Sequence, residues 1–186
     1  IRIHAGTVQL NGMQGDSYIS SAAFSTGNAG NITVDAGRVS VLGGFVSPYA
    51  FTGIATRVNS SIATAANGGT IQINSGSLEV LNGGQISSKI TIGSGRGGDI
   101  NINSSSVLVS GAKSDGGASA IISGSSGTST TGSGGNINLT AGSVRVEDGG
   151  YLSSATTGTG NAGDISVNAT DRIALRRGAI TASASG

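Results

Sequence analysis

A parallel β-helix is the fold this sequence predicts, on three observations: an apolar two-strand phrase returns six times, glycine-rich turns separate the copies, and helical periodicity is missing. The phrase opens at Ile1-Arg2-Ile3, Ile32-Thr33-Val34, Ile71-Gln72-Ile73, Ile100-Asn101-Ile102, Ile137-Asn138-Leu139 and Ile165-Ser166-Val167. It continues at Val8/Leu10, Val39/Val41, Leu78/Val80, Val107/Val109, Val144/Val146 and Ile173/Leu175. The step from first strand to second is seven residues in five copies and eight in the last. Strict alternation turns one face of each strand inward. No apolar stretch recurs at i, i+3, i+4, and β-branched residues and glycine dominate, so no significant helix is expected.

The cleanest copy, Asn136 to Gly163, assigns each element in turn. Ile137 and Leu139 point inward from strand one, and Thr140 to Ser143 is expected to turn a corner. Val144 and Val146 point inward from strand two. Glu147 to Gly150 makes the next corner, where glycine accepts positive φ without steric cost. Strand three begins at Tyr151-Leu152, and small residues from Ser153 to Gly163 close the coil. Strand three contributes Ile19, Val46, Ile86, Ile121 or Ile122, Leu152 and Ile180 to the interior.

Successive first-strand isoleucines lie 31, 39, 29, 37 and 28 residues apart, so a basic coil of 28 carries insertions. These are expected at Met13 to Ser17, Pro48 to Asn59 and Ala112 to Thr131, looping outward without breaking the stack. About six coils fill residues 1–186 as a single segment, with both ends reading as cut from a longer array.

Composition bounds the function. The chain has 186 residues with 34 Gly, one Pro, no Cys, no Trp, 10% charged residues and a formal net charge of +1. Only Arg176-Arg177 forms a close basic pair, without interleaved aromatics, so no nucleic-acid partner is expected. The lack of cysteine excludes a disulfide framework and thiol catalysis. No apolar run is long enough for a transmembrane helix, so no membrane insertion is expected.

Aligning the coils stacks side chains into columns. The position after strand one reads His4, Asp35, Asn74, Asn103, Thr140 and Asn168; Asp35, Asn74, Asn103 and Asn168 are expected to form a structural polar ladder. The position before strand one reads Asn31, Thr70, Asp99, Asn136 and Asp164. Neither column gathers the convergent oxygen ligands that a metal needs, and no cofactor is expected. Glycoside hydrolysis needs two carboxylates facing one cleft. Asp99 and Asp164 share a column but lie two coils apart, as do Glu79 and Arg145, so no catalytic residue is assigned. Outward positions of strands one and two carry no threonine array of the kind an ice-binding face requires.

One column points to recognition. The position before the inward residue of strand three carries Tyr18, Phe45, Gln85, Tyr151 and Ala179. Exposed aromatics beside long inserts could stack on sugar rings, making Tyr18, Phe45 and Tyr151 candidate glycan contacts. The simpler reading is that they cover the corner of the coil.

The segments Ser25-Thr-Gly-Asn-Ala-Gly-Asn31-Ile32-Thr-Val34 and Thr157-Gly-Thr-Gly-Asn-Ala-Gly-Asp164-Ile165-Ser-Val167, with Leu81-Asn-Gly-Gly-Gln-Ile-Ser87, carry a family likeness. They resemble the repeats of filamentous-haemagglutinin-like exoproteins, passengers of two-partner secretion, particularly the cyanobacterial type. The resemblance covers nearly the whole chain. It implies a right-handed parallel β-helix, export by an outer-membrane two-partner-secretion transporter, and an adhesive or structural role. The location it implies is secreted or on the cell surface of a Gram-negative-type bacterium. The Asn-Pro-Asn motifs of the family's secretion domain do not occur here, so the chain resembles the repeat shaft. The expectation is a non-enzymatic extracellular stalk, stacking end-to-end with neighbouring coils or copies. The alternative is a carbohydrate-binding or carbohydrate-active β-helix with its site in the strand-three inserts, for which surface glycans would be the partners.

Overall fold

A computed structural model describes residues 1–44, 51–59, 66–92, 94–126 and 131–185. Its twelve strands form two six-stranded parallel sheets wound as a parallel β-helix, and the described residues contain no helix. Sheet A stacks the odd strands: β1 (Arg2–Asn11), β3 (Ile32–Leu42), β5 (Ile71–Leu81), β7 (Ile100–Ser110), β9 (Ile137–Glu147) and β11 (Ile165–Arg176). Sheet B stacks the even ones: β2 (Ser17–Ala23), β4 (Thr52–Asn59), β6 (Gln85–Ile92), β8 (Ala120–Ser125), β10 (Tyr151–Thr156) and β12 (Ala179–Ala184). One odd and one even strand make each rung.

The expected corner between strands one and two is not a corner. Thr140 to Ser143 lies inside β9, and the same position lies inside every odd strand. Pairing continues on both sides of it, from Ala36↔Ser75 to Arg38↔Ser77, leaving Gly37 and Gly76 as the one unpaired step. The inward residues change phase there: Ile32 and Val34 before it, Val39 and Val41 after it, all fully buried. A phase flip in the apolar pattern looks like a turn in the sequence, yet the parallel ladder absorbs it in one residue. Glycine recurs at that step in four rungs, with Ser105 in its place in β7, and a Cβ on Gly76 would fall 2.7 Å from the Gly37 carbonyl oxygen. The eight-residue step of the last copy appears as a register shift between Ala169 and Arg172.

Sheet B corrects two further expectations. Its inward column is Ile19, Ile54, Ile86, Ile121, Leu152 and Ile180, so Ile54 holds the second-rung place expected of Val46. Val46 and Phe45 lie outside the described residues. Thr52 to Asn59 is therefore strand β4 rather than insertion, and its Ile54, Thr56 and Val58 point inward. The segment Ala112 to Thr131 is likewise divided by β8. Before that strand, Ala112 and Ala118 form an antiparallel bridge, and Lys113 donates its N–H to Gly117 O at 2.8 Å.

The interior is one aliphatic stack joining both sheets, supplemented by a small cluster of Ala29, Val58, Ala66 and Ile90. At ~0.8 kcal/mol per buried CH₂ this stack is the main stabilising contribution. The corners after β5 and β9 are tight. Gly84 N–H donates to Leu81 O and Gly150 N–H to Glu147 O, both at 2.9 Å. Asn82 and Gly83 (φ 49° and 85°), and Asp148 and Gly149 (52° and 88°), have the positive φ pairs of type I′ turns.

Candidate functional site

The predicted polar ladder is aligned as expected: His4, Asp35, Asn74, Asn103, Thr140 and Asn168 are register partners down sheet A. Asn74 Nδ2 donates to Asp35 Oδ1 at 2.7 Å across one rung. Asn168 instead donates within its own strand, to Ser166 Oγ at 3.3 Å. A wide concavity of about 530 Å³ lies over this region, lined by Asn74, Asn103, Thr140 and neighbouring small residues. It has no charged group with which to fix a ligand.

Stronger ladders lie elsewhere. In the column before the odd strands, three side-chain oxygens accept a backbone N–H from the next rung: Asn31 Oδ1 from Thr70 (2.9 Å), Asp99 Oδ1 from Asn136 (2.8 Å) and Asn136 Oδ1 from Asp164 (3.0 Å). Three residues earlier the device repeats, Asn28 accepting from Asn67 and Asn67 from Arg96, both at 2.8 Å. Asp99 also pairs with Arg96 at 2.8 Å. The Asp99 and Asp164 column thus holds rungs together, with Asn136 between the two carboxylates.

Inside the coil, sequence reading missed a column of hydroxyls. Ser21, Thr56, Ser88, Ser123 and Ser154 are register partners facing inward, the last four with no exposed surface. Each meets the glycine stack that closes the coil. Ser123 donates to Gly98 O (2.8 Å), and Ser154 donates to Gly135 O while accepting from Gly163 N–H, both at 2.9 Å. The glycines have no room for a side chain: a Cβ on Gly69 would lie 2.2 Å from Gly30 O, and one on Gly163 2.2 Å from Gly135 O. This explains the final glycine of the second Gly-Asn-Ala-Gly phrase, Gly163. It is required by packing.

The outer face of sheet B is different in kind. Three clefts of about 480, 210 and 180 Å³ run along it, and they share walls. Phe51, Arg57 and Thr91 line both the first and second; Lys89 and Ser126 line both the second and third. Together they make one groove crossing the rungs, with Tyr18 at one end and Tyr151 at the other. These two tyrosines occupy one column, Tyr18, Gly53, Gln85, Ala120, Tyr151 and Ala179, four rungs apart. That separation is ~19 Å at ~4.8 Å per rung.

Phe51 lies at the Tyr18 end. Its ring lies 6.4 Å from the Tyr18 ring, and the Arg57 guanidinium stands 4.3 Å from its centroid. Asp16 Oδ1 accepts the Phe51 N–H at 2.8 Å and anchors the segment. Gly53 makes space, since a Cβ there would meet the Phe51 ring at 2.9 Å and Gln85 O at 2.0 Å. Lys89 follows Arg57 in the next rung of the same column. Burial, and then the Arg57 charge, hold its ammonium below the usual lysine range. Neither cation joins an ion pair among the described residues, as is also true of Arg2, Arg172 and Arg176, whereas Arg38, Arg96, Lys113, Arg145 and Arg177 each do.

Of the predicted aromatic contacts, Tyr18 is exposed and Tyr151 half-buried, which pushes its phenol up; both reach the groove. Phe45 lies outside the described residues, and Gly53 occupies its expected column place. Phe51, Arg57 and Lys89 were not singled out by the sequence. The signal was there: with β4 placed at Thr52, the outward residues are Gly53, Ala55 and Arg57, and Lys89 aligns with Arg57.

No three His, Cys, Asp or Glu residues cluster to hold a metal ion among the described residues. Comparison of the chain with family models, with curated proteins and with solved structures finds no match.

Proposed function

We propose that this chain is a length of non-enzymatic shaft from a secreted or surface-displayed exoprotein of the filamentous-haemagglutinin type. One observation carries the reading: every rung pairs in parallel with the next in both sheets, across all six rungs. Such a stack extends by ~4.8 Å per rung, so six rungs span ~29 Å. The polar columns support the same reading, since Asn31, Asp99 and Asn136 spend their side-chain oxygens on the backbone of the next rung. A new rung templates on the last, which suits folding as a chain emerges from an outer-membrane transporter. Neighbouring coils, or other copies, would continue the ladder end-to-end.

The test is one of reach. One, two and three tandem copies are placed between a cell-surface anchor and a terminal reporter, and reporter height above the membrane is measured. The shaft reading expects height to grow by ~29 Å per copy. A height independent of copy number contradicts it. So does turnover of a polysaccharide by the purified chain, lost on replacing one acidic residue.

A further inference from the structure

We propose that the groove on the outer face of sheet B binds an acidic polysaccharide, its anionic groups held by Arg57 and Lys89 and its sugar rings laid on Tyr18 and Tyr151. The proposal concerns a binding activity and stands independently of whether the coil serves as a shaft.

Three observations converge on this ligand. First, the groove is linear and crosses several rungs, which fits a chain ligand better than a compact one. Second, its aromatics are spread along its length, with Tyr18 and Phe51 at one end and Tyr151 at the other. Aromatic faces present apolar area to the C–H faces of sugars while leaving hydroxyls wet. Third, the cations stand between the aromatic ends, on adjacent rungs.

Two like charges one rung apart repel each other, and Lys89 is partly desolvated as well. The described residues offer neither of them a carboxylate partner. Arg57 is held over the Phe51 ring instead, which leaves its N–H groups free to meet an anion edge-on. An anion bridging both side chains removes the repulsion and supplies the missing acceptors. The one carboxylate lining the groove, Asp16, sits at the Tyr18 end and is engaged with the Phe51 N–H.

Beyond Lys89 the same column continues as Gly124 and Ala155, a floor without bulk. A saccharide chain can therefore lie flat from the cations to Tyr151. Single-stranded nucleic acid, whose bases stack on aromatic side chains, is the competing polymer that the experiment must separate.

The experiment uses the purified full chain and fluorescently labelled polymers, read by anisotropy. Polygalacturonate supplies carboxylates and heparin supplies sulfates; methyl-esterified polygalacturonate, dextran and oligo-dT serve as comparisons. Binding of at least one acidic polysaccharide is expected, and methyl-esterification should weaken polygalacturonate if that is the polymer bound. Lys89→Met, which preserves volume, and Arg57→Gln should each weaken binding about tenfold. Ala155→Glu, placing a negative charge on the groove floor, should weaken it without touching the cations. Arg176→Gln, on sheet A, should leave affinity unchanged, and each variant is checked for wild-type circular dichroism. The proposal is overturned if neither acidic polysaccharide binds, if dextran binds equally, or if oligo-dT binds tighter with the same residue dependence. It is also overturned if Arg176→Gln weakens binding as much as Lys89→Met, since binding would then follow overall charge.

Discussion

Thr56 and Ser88 touch inside the coil: their hydroxyl oxygens lie 2.7 Å apart, and both reach the carbonyl of Gly69, at 2.8 and 3.1 Å. With one proton each, the pair can donate once to Gly69 and once within itself. Ser88 Oγ also accepts the Gly98 N–H at 2.9 Å. Two strands and two corners are thus joined at one fully buried point. Replacing Ser88 by alanine removes these partners and leaves the Gly98 N–H buried without an acceptor. Ser88→Ala is expected to cost about 2 kcal/mol in urea denaturation. Ser106→Ala, on the exposed surface, should stay within about 0.5 kcal/mol.

The glycine stack gives a sharper contrast. A Cβ on Gly98 would lie 2.1 Å from Gly69 O, whereas one on Gly6 meets nothing within 4 Å. Gly98→Ala should cost more than about 3 kcal/mol or prevent folding, because the obstacle is backbone that other rungs hold in place. Gly6→Ala should be neutral to within about 0.5 kcal/mol. Thermal melting of the two variants side by side reads the difference.

Asp148 occupies the left-handed region at φ 52°, where its side chain accepts from the Arg177 guanidinium one rung on. Asp148→Ala should lower the melting temperature, because alanine keeps the Cβ but loses the short polar side chain that tolerates this region and accepts from Arg177. Asp148→Gly should recover the backbone part of the loss. The Arg177 hydrogen bond, against a smaller opposing effect of burial, holds the Asp148 carboxyl below the usual carboxylate range. Its contribution to stability is therefore present above the ordinary aspartate value near pH ~4 and lost as pH falls through the lowered one. Titrating the Asp148 carboxyl by NMR in the parent and in Arg177→Gln should show the value rise in the variant.

Lys89 should behave in the opposite sense. Its folded-state value is lowered, so the unfolded chain holds its proton more tightly, and stability rises with pH as the ordinary lysine range is approached. Lys89→Met should flatten that rise and raise the melting temperature at neutral pH while weakening the groove's hold on an acidic ligand. A melting temperature that falls in Lys89→Met would show that the ammonium has a stabilising partner.

Much of this architecture is legible in the sequence because a period of two leaves a clear trace. Ile71, Ile73, Leu78 and Val80 were assigned inward by alternation and are buried. The phase flip between Ile73 and Leu78 reads equally well as a corner or as one unpaired step, and only the continuous ladder decides between them. Ile54 was missed because Phe45-Val46 presents a similar pair nearer the expected spacing. Thr56, Ser88, Ser123 and Ser154 were missed for another reason. Inward hydroxyls carry the polarity of surface residues, and their role emerges only when the glycine carbonyls opposite them are placed. The groove was half legible: Tyr18 and Tyr151 stood out as aromatics, while Arg57 and Lys89 become neighbours only through register.

Register is therefore the claim on which everything else rests, and it can be measured directly. The chain has no cysteine, so introduced pairs can be spin-labelled without interference. Gln9, Ser40, Glu79, Leu108, Arg145 and Ala174 form one outward column of sheet A. Cysteines at Ala174 and at Gln9, Ser40 or Glu79 place labels five, four or three rungs apart. Dipolar spectroscopy should give narrow distributions that shorten by ~4.8 Å at each step. Broad distributions, or distances that do not fall in equal steps along the column, would contradict the stacked coil.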